Sequence, residues 1–235
     1  MKKLIFIALF MSVTISFAQS STTILPDGGG NNGSDIQNIN GRSGFWINST
    51  ISSDLEGTFY LYNNWINRAE VHDVSGKGYN IPNCNFNVKF NRIEALLDND
   101  KTGKVFAFNN RDLTKVKIGR KSFVKKSIDK GQSYLLEVVH EGKEIALFKA
   151  YSPTITTTRI NPMTQQKMGK DKIDITSSYY VEKNGEIEAI KIKKSSVLKL
   201  MANKKEAVKS FIKENKLSVS EDADLFKIFQ YYDTL

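Results

Sequence analysis

Tyr179-Tyr180-Val181-Glu182-Lys183-Asn184-Gly185-Glu186-Ile187-Glu188-Ala189-Ile190-Lys191-Ile192 sets two short β-rich runs on either side of an Asn-Gly pair. A two-residue hairpin turn needs positive φ at both central positions, and Asn-Gly tolerates it at little cost. The stretch therefore reads as an antiparallel hairpin, Tyr179–Glu182 paired with Glu186–Ile192.

Working backward along the chain, the same pattern recurs. Thr58–Tyr62, Asn85–Phe90, Arg92–Leu97, Lys104–Phe108, Tyr134–Val139 and Glu144–Tyr151 are short, rich in β-branched or aromatic residues, and separated by turn residues. His140-Glu141-Gly142-Lys143 joins one pair and Asp98 to Gly103 another. A parallel crossover needs a dozen or more residues, so connections this short force antiparallel neighbours. We expect a mainly β fold over residues 44–194, an antiparallel meander of about eight to ten strands that curls into a barrel or splits into two layers.

Working forward, the period changes. Val208, Phe211 and Ile212 fit one helical face, and Leu225, Ile228, Phe229 and Tyr232 fit another at i, i+3, i+4 and i+7. Ser218 with Glu221 has capping-box spacing and is expected to start the last helix. Residues 195–235 are thus a helical end of the same domain, packed on the sheet.

This tail also carries a resemblance. Ser178-Tyr179-Tyr180-Val181, Lys193, Lys194, Leu198, Phe211-Ile212-Lys213, Asn215-Lys216-Leu217, Asp224-Leu225 and Tyr231-Tyr232-Asp233-Thr234-Leu235 together resemble the ending of a large group of uncharacterised exported proteins of Bacteroidetes-type Gram-negative bacteria. Those proteins similarly place a signal peptide and a β-rich region before a lysine-rich helical end. The resemblance implies the compartment and the architecture. It brings no activity and no site residues.

The N-terminus agrees with export. Lys2 and Lys3 precede an apolar run from Leu4 to Ile15, and Ser16-Phe17-Ala18 supplies a small residue before a cut at Gln19. A membrane-spanning helix needs roughly twenty apolar residues, so residues 1–18 read as a cleaved signal peptide, with no transmembrane span afterwards. Residues 19–43, with Gly28-Gly29-Gly30-Asn31-Asn32-Gly33, read as a flexible leader; a phosphate-binding glycine loop needs a strand before it and a helix after it. The expected destination is the periplasm, the outer-membrane periphery or the extracellular space. Cys84, the single cysteine, has no partner for a disulfide within the chain and reads as a small strand residue.

Candidate chemistry fails on spacing. His72 and His140 are the only histidines. His140-Glu141 resembles half of a zinc-protease helix, but its second His is missing and the segment is a turn. There is no Gly-x-Ser-x-Gly elbow for a serine hydrolase. Asp98-Asn99-Asp100-Lys101-Thr102-Gly103 begins like a calcium loop, yet its twelfth position falls on Asn109, which lacks the closing carboxylate. No catalytic residue, metal ligand or cofactor is assigned.

Two groups of residues invite contact. Tyr60, Tyr62 and Trp65 form an aromatic group that reads either as core or as an exposed strip for a ligand. From Ile190 to Leu217 there are nine lysines and two acids, a net of +7, within a chain whose formal charge is +9. Lys205, Lys209, Lys213 and Lys216 fall in one helical arc, where like charges at i, i+4 cost an isolated helix about 0.2–0.5 kcal/mol per pair. Such an arc is solvated, paired with the acids of the last stretch (Glu221, Asp222, Asp224 and Asp233), or faces an acidic envelope component. Export removes nucleic acid as a partner.

The expected function is a non-catalytic binding or structural module of the cell envelope, its partner an acidic component or another envelope protein. The alternatives are a carrier enclosing a small apolar ligand in a curled sheet, and a hydrolase.

Overall fold

A computed structural model describes residues 22–23, 44–48, 54–96, 104–129 and 131–235. The signal peptide, most of the leader and the Asp98–Gly103 turn lie outside these residues. Two leader residues are described: Thr22–Thr23 form β1, parallel to β5 at Tyr79 and Asn80.

The fold is mainly β, as expected, with one antiparallel sheet and a helical C-terminal segment. Its strands are β2 (Gly44–Asn48), β3 (Leu55–Glu56), β4 (Asn67–Asp73), β5 (Gly78–Asn87), β6 (Arg92–Leu96), β7 (Lys104–Phe108) and β8 (Leu113–Ile118), followed by β9 (Lys121–Asp129), β10 (Gln132–Glu141), β11 (Ile145–Thr156), β12 (Asp171–Lys183) and β13 (Glu186–Ile190). They pair in the order β13-β12-β11-β10-β9-β8-β4-β5-β6-β7-β2, with β3 added parallel to β12. The hairpin that opened the sequence reading is present, with Asn184 at φ 54° and Gly185 at φ 80°.

The sheet is open but strongly curled. Phe86 of β5 lies 6.5 Å from Tyr151 of β11, ring to ring. Five strand spacings separate them along the sheet, about 24 Å if it were flat. The enclosed side is filled: Phe86 stacks on Phe123 at 4.8 Å, and Phe106 meets Phe108 edge-on at 5.1 Å. Val71, Ile81, Ile93, Val116 and Leu135 complete this first core.

Six strands lie outside the runs picked out in the sequence, namely β1, β2, β3, β4, β8 and β9. In β4 and β8, polar residues such as Glu70, His72, Lys115 and Lys117 alternate with buried Ala69, Val71, Val116 and Ile118, as in half-buried strands. The expected strand Thr58–Tyr62 is not one. Residues 57–66 form an irregular segment with a single bridge, Tyr60 to Asn87. Side-chain amides take up its backbone groups: Asn85 accepts from Tyr62 N–H at 3.1 Å and donates to the Tyr62 carbonyl at 2.8 Å.

The tail folds as α1 (Lys194–Leu200), a short 3₁₀ turn at Ala202–Lys204, α2 (Lys205–Glu214) and α3 (Asp222–Tyr232). Val197, Leu198, Met201, Val208, Ile212, Leu225, Ile228, Phe229 and Tyr232 bury a second core against Val139, Ile145, Leu147 and Val181 of the sheet. The capping-box expectation fails. The N-cap of α3 is Glu221, and Asp224 instead accepts the Ser218 N–H at 3.0 Å. Lys216 lies past the end of α2 at φ 52°, the left-handed position where a helix terminates.

Candidate functional site

Helix α2 divides its side chains cleanly. Val208 and Ile212 point into the second core, and Phe211 stacks on Tyr231 of α3 at 4.0 Å. That pins the helix and fixes which face remains outside. Lys205, Lys209 and Lys213 occupy the outside and are exposed, as is Lys216, past the end of the helix. Lys191, Lys193, Lys194 and Lys199, around α1, are exposed as well.

Little opposes this charge. Lys209 reaches Glu206 at 3.4 Å, with both side chains more than half exposed, an arrangement worth at most a few tenths of a kcal/mol in screening solvent. Lys204 donates to the main-chain oxygen of Leu235 at 2.9 Å. Among the described residues Lys205, Lys213 and Lys216 have no ion pair.

Three of the four acids that stood available in the sequence are engaged elsewhere, and the fourth, Glu221, is exposed at the N-cap of α3 with no side-chain capping bond. Asp222 accepts from Lys149 of β11 at 2.5 Å and from the Tyr179 hydroxyl at 2.7 Å. Burial pushes its carboxyl pKa up, but the Lys149 and Tyr179 hydrogen bonds outweigh that and hold it below the ordinary value. Lys149 is held above its ordinary value: burial works against the ammonium, and Asp222 more than offsets it. Asp224 takes the Ser218 N–H and Lys227, and both lower its pKa. Asp233 pairs with His140 at 2.8 Å. The row of lysines is therefore left facing solvent by the way α3 docks.

A second polar network joins β9, β10 and β11. Lys121 donates to Glu137 at 2.7 Å and to the Tyr151 hydroxyl at 3.0 Å, and Tyr151 donates to Glu137. Burial and the Glu137 carboxylate push the Tyr151 phenol far up.

The aromatic group is gathered but turned inward. Tyr60 is 3 % exposed, donates to Glu94 at 2.6 Å and meets Trp65 edge-on at 4.7 Å. Tyr62 donates to the Ile118 carbonyl at 3.0 Å, and burial, with the Glu137 charge, raises its pKa to about 12. Trp65 is half-buried. Glu94 itself is fully buried and also accepts from Arg92 at 2.7 Å and Asn87 at 3.0 Å. These rings lock the 57–66 segment onto β5 and β6.

Neither histidine is isolated. His72 bonds Glu70 at 2.9 Å beside an open cleft of about 530 Å³ that Thr114, Lys115, Lys117 and Ser122 also line. His140 borders a neighbouring cleft of about 460 Å³ with Arg120, Phe226 and Gln230. Among the described residues neither imidazole bonds a hydroxyl or thiol. Cys84 is fully buried, and burial pushes its thiol pKa up, away from nucleophilic chemistry. No group of metal-ligating side chains occurs among the described residues, and none of their helices is long and apolar enough to cross a membrane.

No protein-family model, curated protein or solved structure matches this chain. The site's chemistry therefore stands on its own residues.

Proposed function

We propose that the chain is an exported, non-catalytic module of the cell envelope that attaches to an anionic membrane surface through the lysine face of α1 and α2. The observation that carries this reading is the separation of charge in the tail. Lys205, Lys209, Lys213 and Lys216 stand in solvent, whereas Asp222, Asp224 and Asp233 are bonded to Lys149, Lys227 and His140. The export half of the reading rests on Lys2 to Ala18.

The physics favours a surface over a single ligand. Exposed lysines spread along a helix cannot converge on one small anion, but each one near an anionic bilayer contributes about 1 kcal/mol. That attraction falls off within a Debye length of about 8 Å at physiological salt.

Co-sedimentation with phosphatidylglycerol–phosphatidylcholine vesicles tests it. Binding is expected at low salt, to decline as salt rises, and to drop at least about tenfold when Lys205, Lys209 and Lys213 are together replaced by Gln. A control replacing Lys115 and Lys117, which lie on the sheet, should bind as wild type. Equal binding by the α2 variant would overturn the proposal.

A further inference from the structure

The β11–β12 ribbon runs well past the helical cap. Its register holds to Thr156 and Lys172, and beyond that residues 157–170 form a tip closed by the Ile160 to Lys167 bridge. Ten residues of β12 separate Val181, under the helices, from Asp171 at the base of the tip, a strand length of roughly 33 Å. The tip is therefore a different surface from the lysine face.

It leaves large apolar side chains in water: Met163 is 92 % exposed, Met168 69 % and Ile160 55 %. They are not on one face. Partners across an antiparallel pair share a face, and successive residues alternate. Ile160 thus lies with Lys167 on one side, while Met168, whose N–H donates to the Arg159 carbonyl at 2.8 Å, lies with Arg159 on the other. Met163 stands at the apex. A protein partner docks against one face of a ribbon, but a tip with an aliphatic residue and a long cation on each side suits a medium that surrounds it. At a bilayer, Arg159 can keep its charge among phosphates, and Lys167 keeps its ammonium at the base of the tip on Asp171, 2.7 Å away, while their stems and the aliphatic groups lie deeper.

The backbone at the apex is prepared for such a medium. Asn161 Oδ1 accepts the N–H of Met163 at 2.9 Å and of Thr164 at 3.3 Å. The Asn161 and Gln165 N–H groups each bond within the turn at 2.8 Å, and Pro162 has none. Every backbone donor from Asn161 to Gln165 is therefore satisfied without water, which entry into a low-dielectric layer requires. Residues 157–174 carry four cations and two acids, with Lys167 bonded to Asp171 at 2.7 Å and Lys172 to Asp174 at 2.9 Å, and the net charge of +2 favours anionic headgroups.

We infer that the β11–β12 tip inserts Met163, flanked by Ile160 and Met168, into the boundary between headgroups and acyl chains of a bilayer. This rests on the reading of the chain as a membrane-surface protein and adds a contact that salt does not screen. A Met163→Cys variant labelled with an environment-sensitive fluorophore tests it, since the native Cys84 thiol is buried and does not take label in the folded protein. On adding phosphatidylglycerol–phosphatidylcholine vesicles, the emission should shift to the blue and be quenched by lipids brominated near the headgroup. Replacing Ile160, Met163 and Met168 by Ser should lower vesicle binding in high salt about tenfold or more, with unchanged thermal melting.

A protein that sediments with vesicles while the probe at 163 stays in water overturns the tip and leaves the lysine face standing. Insertion that survives replacement of Lys205, Lys209 and Lys213 with no loss of low-salt binding overturns the lysine face and keeps the tip. A blue shift that follows protein concentration without vesicles would assign the tip to a second copy, and no vesicle binding at all would remove both readings.

Discussion

Along α2, Lys205, Lys209 and Lys213 stand in solvent, while along the adjoining α3 Asp222 reaches back to Lys149 on β11 and Asp233, just past its end, reaches His140 on β10. The two helices touch through Phe211 and Tyr231, close enough for opposite charges to have met. They do not, because α3 is docked by Leu225, Ile228, Phe229 and Tyr232, and that docking turns Asp222 and Asp233 to the sheet while Asp224 pairs with Lys227 of α3 itself. The comparison shows that opposite net charges on neighbouring segments do not guarantee neutralisation. Packing of the apolar face decides which way the charges point, and here it leaves one helix as the cement of the fold and the other as its free surface.

The largest effect should come from removing the docking itself. Phe229→Ala empties a fully buried position and is expected to cost about 3–5 kcal/mol in denaturant unfolding. Phe226→Ala, at a position 44 % exposed on the same helix, should cost far less. Equal losses would break the claim that α3 is oriented by its apolar face.

Smaller is the effect of the acid that α3 turns inward. Asp222→Asn should cost about 1–2 kcal/mol at neutral pH, after discounting for its partial exposure. Because its pKa is held below the unfolded value, the wild-type advantage should be complete above about pH 4 to 5 and fade as pH falls through the folded-state value. Unfolding curves of both proteins between pH 7 and pH 2 would show the two stabilities converging. A gap that widened in acid would contradict the pairing.

Smallest of all is the expected cost on α2. Lys209→Ala removes only the exposed contact to Glu206 and should change stability by less than about 0.5 kcal/mol, in either direction. A loss comparable to Asp222→Asn would mean that the lysine face is part of the fold rather than its outside.

Much of this was written locally in the chain. Asn184-Gly185 fixed its hairpin because only two residues had to agree on positive φ, and the 3.6-residue spacing of Leu225, Ile228, Phe229 and Tyr232 stated which side of α3 is buried. β4 and β8 were harder to see because charged residues on the solvent face dilute their apolar content; alternation, as in Ala69-Glu70-Val71-His72, was the signal that remained. Thr58–Tyr62 has strand composition yet is not a strand, since the groups that hold it are the Asn85 and Glu94 side chains and the backbone of Phe86 and Val88, more than twenty residues away. The lysine excess was countable, but its lack of opposing acid was not. That depended on Lys149 meeting Asp222 and His140 meeting Asp233, contacts between the sheet and a helix distant in sequence. Residues 157–170 carried no reading in the sequence, and only the Ile160 to Lys167 bridge places Ile160 and Met168 on opposite sides of the tip.

Lysine acetylation footprinting read by mass spectrometry, with and without phosphatidylglycerol vesicles, addresses the free-surface claim most directly. The account predicts that Lys205, Lys209 and Lys213 react readily in the free protein and become protected on the vesicle, while Lys115 and Lys117 react equally in both. Protection of the sheet lysines with α2 left reactive would contradict it.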